Sequence, residues 1–168
     1  QVGLAALGRS GKSRALLAGK VIGMIGYSVT EVPSLEGKGA KVSAMHLGDW
    51  GMNVVANGII INTATEKGNP SLIRRFLRAV KKGIVYSKAY PDESADYVKE
   101  RFPHKKRAVL GKELRWTFNL LVSDATKGKP LGWQANADWA RTQNVLEKNK
   151  LIKKTMPLNN YFSNAFIP

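Results

Sequence analysis

Residues 6–13, Ala-Leu-Gly-Arg-Ser-Gly-Lys-Ser, come nearest to a recognisable chemical motif. A phosphate-binding loop needs G-x-x-x-x-G-K-[ST], because its glycines let backbone amides cradle phosphates. Ala6 stands where the first glycine belongs. The helix that follows is short and soon meets Gly19, and no clear aspartate after a later apolar strand is placed to hold magnesium. A P-loop-like nucleotide binder is therefore kept only as an alternative, beside a polar turn before a helix. His46 and His104 are far apart and neither has a second histidine one turn away, so no metal site is expected. No Ser-His-Asp, Cys-His or paired-carboxylate spacing occurs. Asp92, Glu93 and Asp96 open a helix, where acidic groups favour the dipole. No catalytic residue and no cofactor is expected.

Binding chemistry is better represented. Tyr27 and Ser28 follow the apolar run VIGMIGY, and in open α/β sheets ligands bind beyond the carboxyl ends of strands. Tyr27 is either a ligand-stacking residue or the edge of a core. Asp49, Trp50 and Asn53 lie in a Gly-rich loop, and an indole offers an apolar face plus an N–H to a small polar ring. Asn57, with Gly58, interrupts the β-branched run of residues 54–61. Polar groups and a glycine in a strand mark close approach of a ligand or of another backbone. A buried Asn satisfying backbone groups is the other reading.

These residues need elements to position them. Residues 2–7 and 21–27 read as strands, residues 13–18 as a helical turn closed by Gly19, residues 30–36 as a helix with Pro33 in its first turn, and residues 41–46 as a further strand. Strand, helix, strand at this spacing is a βαβ signature. After Ile61 the pattern turns helical. Asn69 caps, Pro70 takes the first helical position, and Leu72, Ile73, Phe76, Leu77, Val80 and Ile84 form one stripe. Helices are also expected from Pro91 to a stop at Pro103, over residues 112–124 and over residues 136–149, with a loop at residues 128–132.

Composition sets the bounds. The 168 residues suffice for one core or two small lobes, and 43 % apolar content argues against wholesale disorder. No apolar run reaches the roughly 18 residues of a membrane span. Without cysteine there are no disulfides and no thiolate metal sites. The chain starts at Gln1 with no signal-like segment, which reads as a processed or truncated end. The net charge of +15 favours anionic partners, yet Lys and Arg are spread over helix surfaces. Their tightest cluster, His104-Lys105-Lys106-Arg107, has no aromatic interleaving of the kind that stacks bases. A basic nucleic-acid-binding protein remains an alternative, but no nucleic acid is expected as a partner.

In order along the chain, ALLAGKVIGMIGY, SVTEVPSLEGKGAKV, VANGIIIN, the N-P-x-L-x-R-x-F-x-x-A helix with the x-P-x-x-A turn after it, ADWARTQNVLEKNKLI and the terminal YFSNAFIP resemble the C-terminal portion of substrate-binding proteins of ABC importers, in the nitrate/sulfonate/thiamine-pyrimidine (NMT1/THI5-like) group. One departure is Ile22, where that family often has Asp. The other is the family's N-terminal half, which has no counterpart here.

The resemblance implies an α/β fold of the type II periplasmic-binding-protein kind. Residues 1–53 would form part of the second lobe, and residues 54–168 a hinge strand and the helical part of the first. It implies capture of a small heteroaromatic or anionic nutrient between lobes, closure by population shift, and docking on a membrane permease, with no chemistry on this chain. Tyr27, Ser28, Asp49, Trp50, Asn53 and Asn57 would touch the ligand. The family's iron-dependent enzyme branch carries a Cys-rich motif that is absent here. The implied partners are the small ligand, the ABC permease, and the missing N-terminal half or another copy of the chain. The implied location is the periplasm or the outer face of the cytoplasmic membrane.

Overall fold

The computed structural model describes residue 6 and residues 8–168. Helices dominate: α1 Arg9–Leu17, α2 Ser28–Glu36, α3 Thr63–Gly68, α4 Pro70–Ala89, α5 Pro91–Arg101, α6 Arg107–Phe118 and α7 Asn136–Lys148. Short 3-10 turns occur at Leu47–Trp50, Asp124–Thr126 and Leu158–Asn160. No helix among the described residues is long and apolar enough to cross a membrane.

No β-strand occurs among the described residues, so the βαβ unit and the α/β architecture expected from the sequence are not formed there. Residues 21–27, 41–46 and 54–61 run without ladder partners, and Ile22, Ile25, Met45 and Ile60 stand almost fully in solvent. A strand gains its stability from the hydrogen bonds and side-chain contacts of its neighbour. Where no neighbour is in register, a β-branched sequence does not become a strand by itself. The expected strand at residues 2–7 falls, apart from residue 6, outside the described residues.

The chain divides into two compact units. The first joins Gln1–Ala44 to Pro91–Thr117. Here α1 ends as its sequence predicts: Gly19 takes a left-handed φ of 67° and the Lys20 N–H closes onto the Ala15 carbonyl at 2.9 Å. α2 begins earlier than expected, at Ser28, which places Pro33 inside the helix instead of in its first turn. Pro33 is fully buried, beside the buried Val32 and Leu35 on the same helix. Gly37 permits the close approach of α6, since a Cβ there would lie 2.6 Å from Val109 Cγ2. Lys106 Nζ donates to the Gly37 carbonyl at 2.9 Å, and Lys112 pairs with Glu36 at 2.7 Å. Arg107 pairs with Asp96, and their hydrogen bond holds the Asp96 carboxyl below the usual carboxylate range. α6 occupies Arg107–Phe118 instead of the expected 112–124. Its start is set by a turn at Lys106, whose carbonyl accepts from the Val109 and Leu110 amides.

The second unit joins Met45–Tyr90 to Phe118–Pro168. Asn69 Oδ1 accepts from the Leu72 N–H at 3.1 Å, which caps α4 as its sequence predicts. Ile73 is buried, and Leu77, Val80 and Ile84 half-buried, whereas the flanking Leu72 and Phe76 are exposed. α3, which the pattern did not suggest, is capped by Asn62 through the Ala64 N–H at 2.8 Å. The C-terminal segment is fastened by its own side chains. Trp139 stacks with Tyr161 and with Phe162, at centroid distances of 5.7 and 5.5 Å. Asn164 bonds both backbone groups of Gln134 at 2.9 Å, and Arg74 lies over the Phe166 ring.

Candidate functional site

Two groups of side chains carry the expected binding chemistry, one in each unit. In the first unit, Tyr27 is the N-cap residue of α2 and Ser28 its first helical residue. The Tyr27 carbonyl accepts from the Thr30 and Glu31 amides at 3.1 and 2.9 Å, so the backbone there is fixed. Tyr27 is 67 % exposed, so it is not part of the buried core of this unit. Ser28 is half-buried.

A second arrangement holds this corner. Lys12 Nζ pairs with Glu31 at 2.9 Å and donates to the Ile25 carbonyl at 3.2 Å. Ser13 Oγ donates to Glu31 Oε2 at 3.1 Å. Gly26 fits beneath, because a Cβ would meet Glu31 Cγ at 2.9 Å. The lysine and serine of the P-loop-like motif are thus turned onto a carboxylate. A nucleotide loop needs both to face phosphate and its cation, so this geometry gives the nucleotide alternative no support. Sequence reasoning missed Glu31. Its only signal there is an acidic residue in the first turn of a helix, which is usually attributed to the dipole.

In the second unit, Asp49 and Trp50 lie on the Leu47–Trp50 turn, which Gly51 closes with a φ of 84° while the Met52 N–H bonds the Leu47 carbonyl at 3.0 Å. Asn53 folds back on this turn: a Cβ on Gly48 would sit 3.5 Å from Asn53 Cβ. Asp49, Trp50 and Asn53 are therefore brought together on one tight turn. Trp50 is 75 % exposed, and Asp49 and Asn53 are exposed as well. Asn57 lies further along and is exposed, not buried within a strand. The segment bearing it is tied down at Val55, whose N–H donates to Thr142 Oγ1 at 2.8 Å. Thr142, buried on α7, donates in turn to the Asp138 carbonyl at 2.8 Å.

Among the described residues no group of three or more His, Asp or Glu side chains converges as a metal site. His104 stands edge-on to Phe102 at 6.3 Å. In the second unit an open indole with Asp and Asn beside it, and in the first unit an open phenol, each on a backbone fixed by hydrogen bonds, are groups that can stack a flat ring.

Two comparisons with known proteins find likenesses. The family model described as NMT1/THI5 like matches residues 1–94, more than half of the chain. The chain is also similar to the riboflavin-binding protein RibY of Chloroflexus aurantiacus, with 28 % identity over 160 residues. That alignment covers 94 % of this chain and 45 % of RibY, so the chain spans less than half the length of this relative. No solved structure matches.

Proposed function

The chain belongs to the NMT1/THI5-like family, a periplasmic-binding-protein-like group, and on that premise we propose that it is the solute-binding component of an ABC-type importer. Its ligand is a small heteroaromatic nutrient, captured in a cleft between two lobes. The observation that carries this reading is positional. All six candidate residues, Tyr27, Ser28, Asp49, Trp50, Asn53 and Asn57, fall within the matched residues 1–94, and the two aromatic ones present open rings. Each is a face on which a flat ring can stack, whereas nitrate or a sulfonate has no use for it. The riboflavin-binding relative points the same way.

In this reading residues 21–27, 41–46 and 54–61 become strands of an α/β sheet once they pair with the family's N-terminal half or with another copy of the chain. Residues 1–53 then belong to the second lobe and residues 54–168 to the hinge and the first. The loaded form docks on a membrane permease, in the periplasm or at the outer face of the cytoplasmic membrane. The chain itself performs no reaction.

The test is a titration of riboflavin, a thiamine-type aminopyrimidine, taurine and nitrate, read by tryptophan and flavin fluorescence. Saturable binding of one of the two ring compounds is expected. Trp50→Ala and Tyr27→Ala should each weaken it about tenfold, the loss of one stacking contact of about 1 kcal/mol or slightly more. Binding of taurine or nitrate alone would replace the heteroaromatic ligand with an anion, and no binding of any of the four would remove the capture reading from this chain.

A further inference from the structure

The most one-sided charge in the molecule lies on α4. Over 20 residues this helix carries Arg74, Arg75, Arg78, Lys81, Lys82 and Lys88 and no Asp or Glu. At 100° per residue the six cations fall within an arc of about 140°, away from the Ile73, Val80 and Ile84 side that packs inward. Five of the six are exposed and Lys81 is half-buried. The ion pairs found among the described residues involve none of them. Arg74 and Lys81 hold the C-terminal segment instead, donating to the Ala165 and Pro168 carbonyls at 2.7 and 2.8 Å. Arg75, Arg78 and Lys82 make up the outer row.

Apolar groups sit among these cations. Val85, two turns beyond Arg78 on the same line, is 56 % exposed in the middle of the basic arc. At the C-terminal end Tyr86 and Tyr90 pack ring to ring at 4.9 Å and remain partly open. We propose that this face of α4 docks on an anionic phospholipid surface, with Arg75, Arg78 and Lys82 on headgroup phosphates and Val85 and the tyrosine pair at the headgroup–acyl boundary. Complementary charge supplies the attraction, and exposed Tyr and aliphatic groups are the ones the interface accepts. A nucleic acid would use the same cations but gains nothing from an exposed valine between them. The surface uses none of the six candidate ligand residues, so this proposal stands or falls apart from ligand capture.

Vesicle flotation tests it on the whole chain. The protein should float with phosphatidylcholine/phosphatidylglycerol vesicles, stay behind with phosphatidylcholine alone, and be released by added salt. The triple variant R75E/R78E/K82E should bind about 100-fold more weakly or worse. A variant of equal charge change away from α4, K148E/K150E/K153E, should lose much less, and circular dichroism of both variants checks that the helices persist. Val85→Ser should weaken flotation severalfold at unchanged charge. No flotation with anionic vesicles, or equal losses in the two triple variants, would overturn the proposal. So would displacement from the vesicles by a DNA duplex at equal phosphate concentration, which would assign the face to nucleic acid.

Discussion

At the residue scale, side chains that looked like chemistry turn out to hold backbone in place. Lys12 and Ser13 grip Glu31 and the Ile25 carbonyl, and so fix the corner that carries Tyr27. The terminal Tyr-Phe-Ser-Asn-Ala-Phe is likewise a set of fasteners. Tyr161 Oη donates to Gln143 Oε1 at 2.8 Å, and Asn164 satisfies the amide and the carbonyl of Gln134 together. Replacing Asn164 with Ala leaves both of those half-buried backbone groups unpaired. It should cost about 1–3 kcal/mol, measurable as a lower urea midpoint at unchanged slope. Asn164→Asp keeps the acceptor for the Gln134 amide but sets a second acceptor against its carbonyl, and should also be less stable than the parent. Types such as Lys, Ser and Asn serve phosphates, ligands and backbone equally well, and only the partner found in the fold decides. For that reason the role of Asn164 was not legible in the sequence, although the motif containing it was.

At the element scale the sequence was most legible where the determinants are local. Asn69-Pro70 and the apolar stripe place the start of α4, Gly19 closes α1, and Pro91 and Pro103 bracket α5. Each of these rests on backbone conformation within one or two turns. α6 was misplaced, and the expected strands are not formed among the described residues, because both depend on distant partners. The turn at Lys106, whose side chain reaches the Gly37 carbonyl, starts α6. A strand, by contrast, exists only with its neighbour. At Gly37, the C-cap of α2, an added Cβ would collide with Val109 of α6. Gly37→Ala should cost about 1–3 kcal/mol, because a β-branched Val109 cannot turn its Cγ2 out of the way and the Pro33 carbonyl crowds the other side at 3.1 Å. A melting temperature equal to that of the parent chain would show that α6 shifts freely at this point. Gly23, where an added Cβ would meet nothing within 4 Å, is the matched control.

At the scale of the whole molecule, each unit keeps a small buried core and leaves large apolar side chains outside it. Ile22, Ile25 and Tyr27 stand out on the first unit, and Trp50, Ile59 and Ile60 on the second. Scattered exposed apolar residues are ordinary, but these lie in runs along segments with strand-like sequence, the ones that the proposed sheet would cover. The chain also spans less than half the length of its riboflavin-binding relative. Both facts fit a sheet completed by further polypeptide, as proposed above. The candidate binding chemistry was legible in the aromatic and amide residues of the sequence. Their division between two units was not, because it depends on how residues 45–90 and 91–117 are distributed between the cores.

Hydrogen exchange with and without riboflavin tests the central claim most directly, since it reads both groups of candidate residues at once. Slower exchange on ligand addition is expected at residues 24–30 and 47–57, with α7 and the C-terminal segment unchanged. Unaltered exchange throughout, or protection confined to helices outside those two stretches, would contradict ligand contact at Tyr27 and at Trp50.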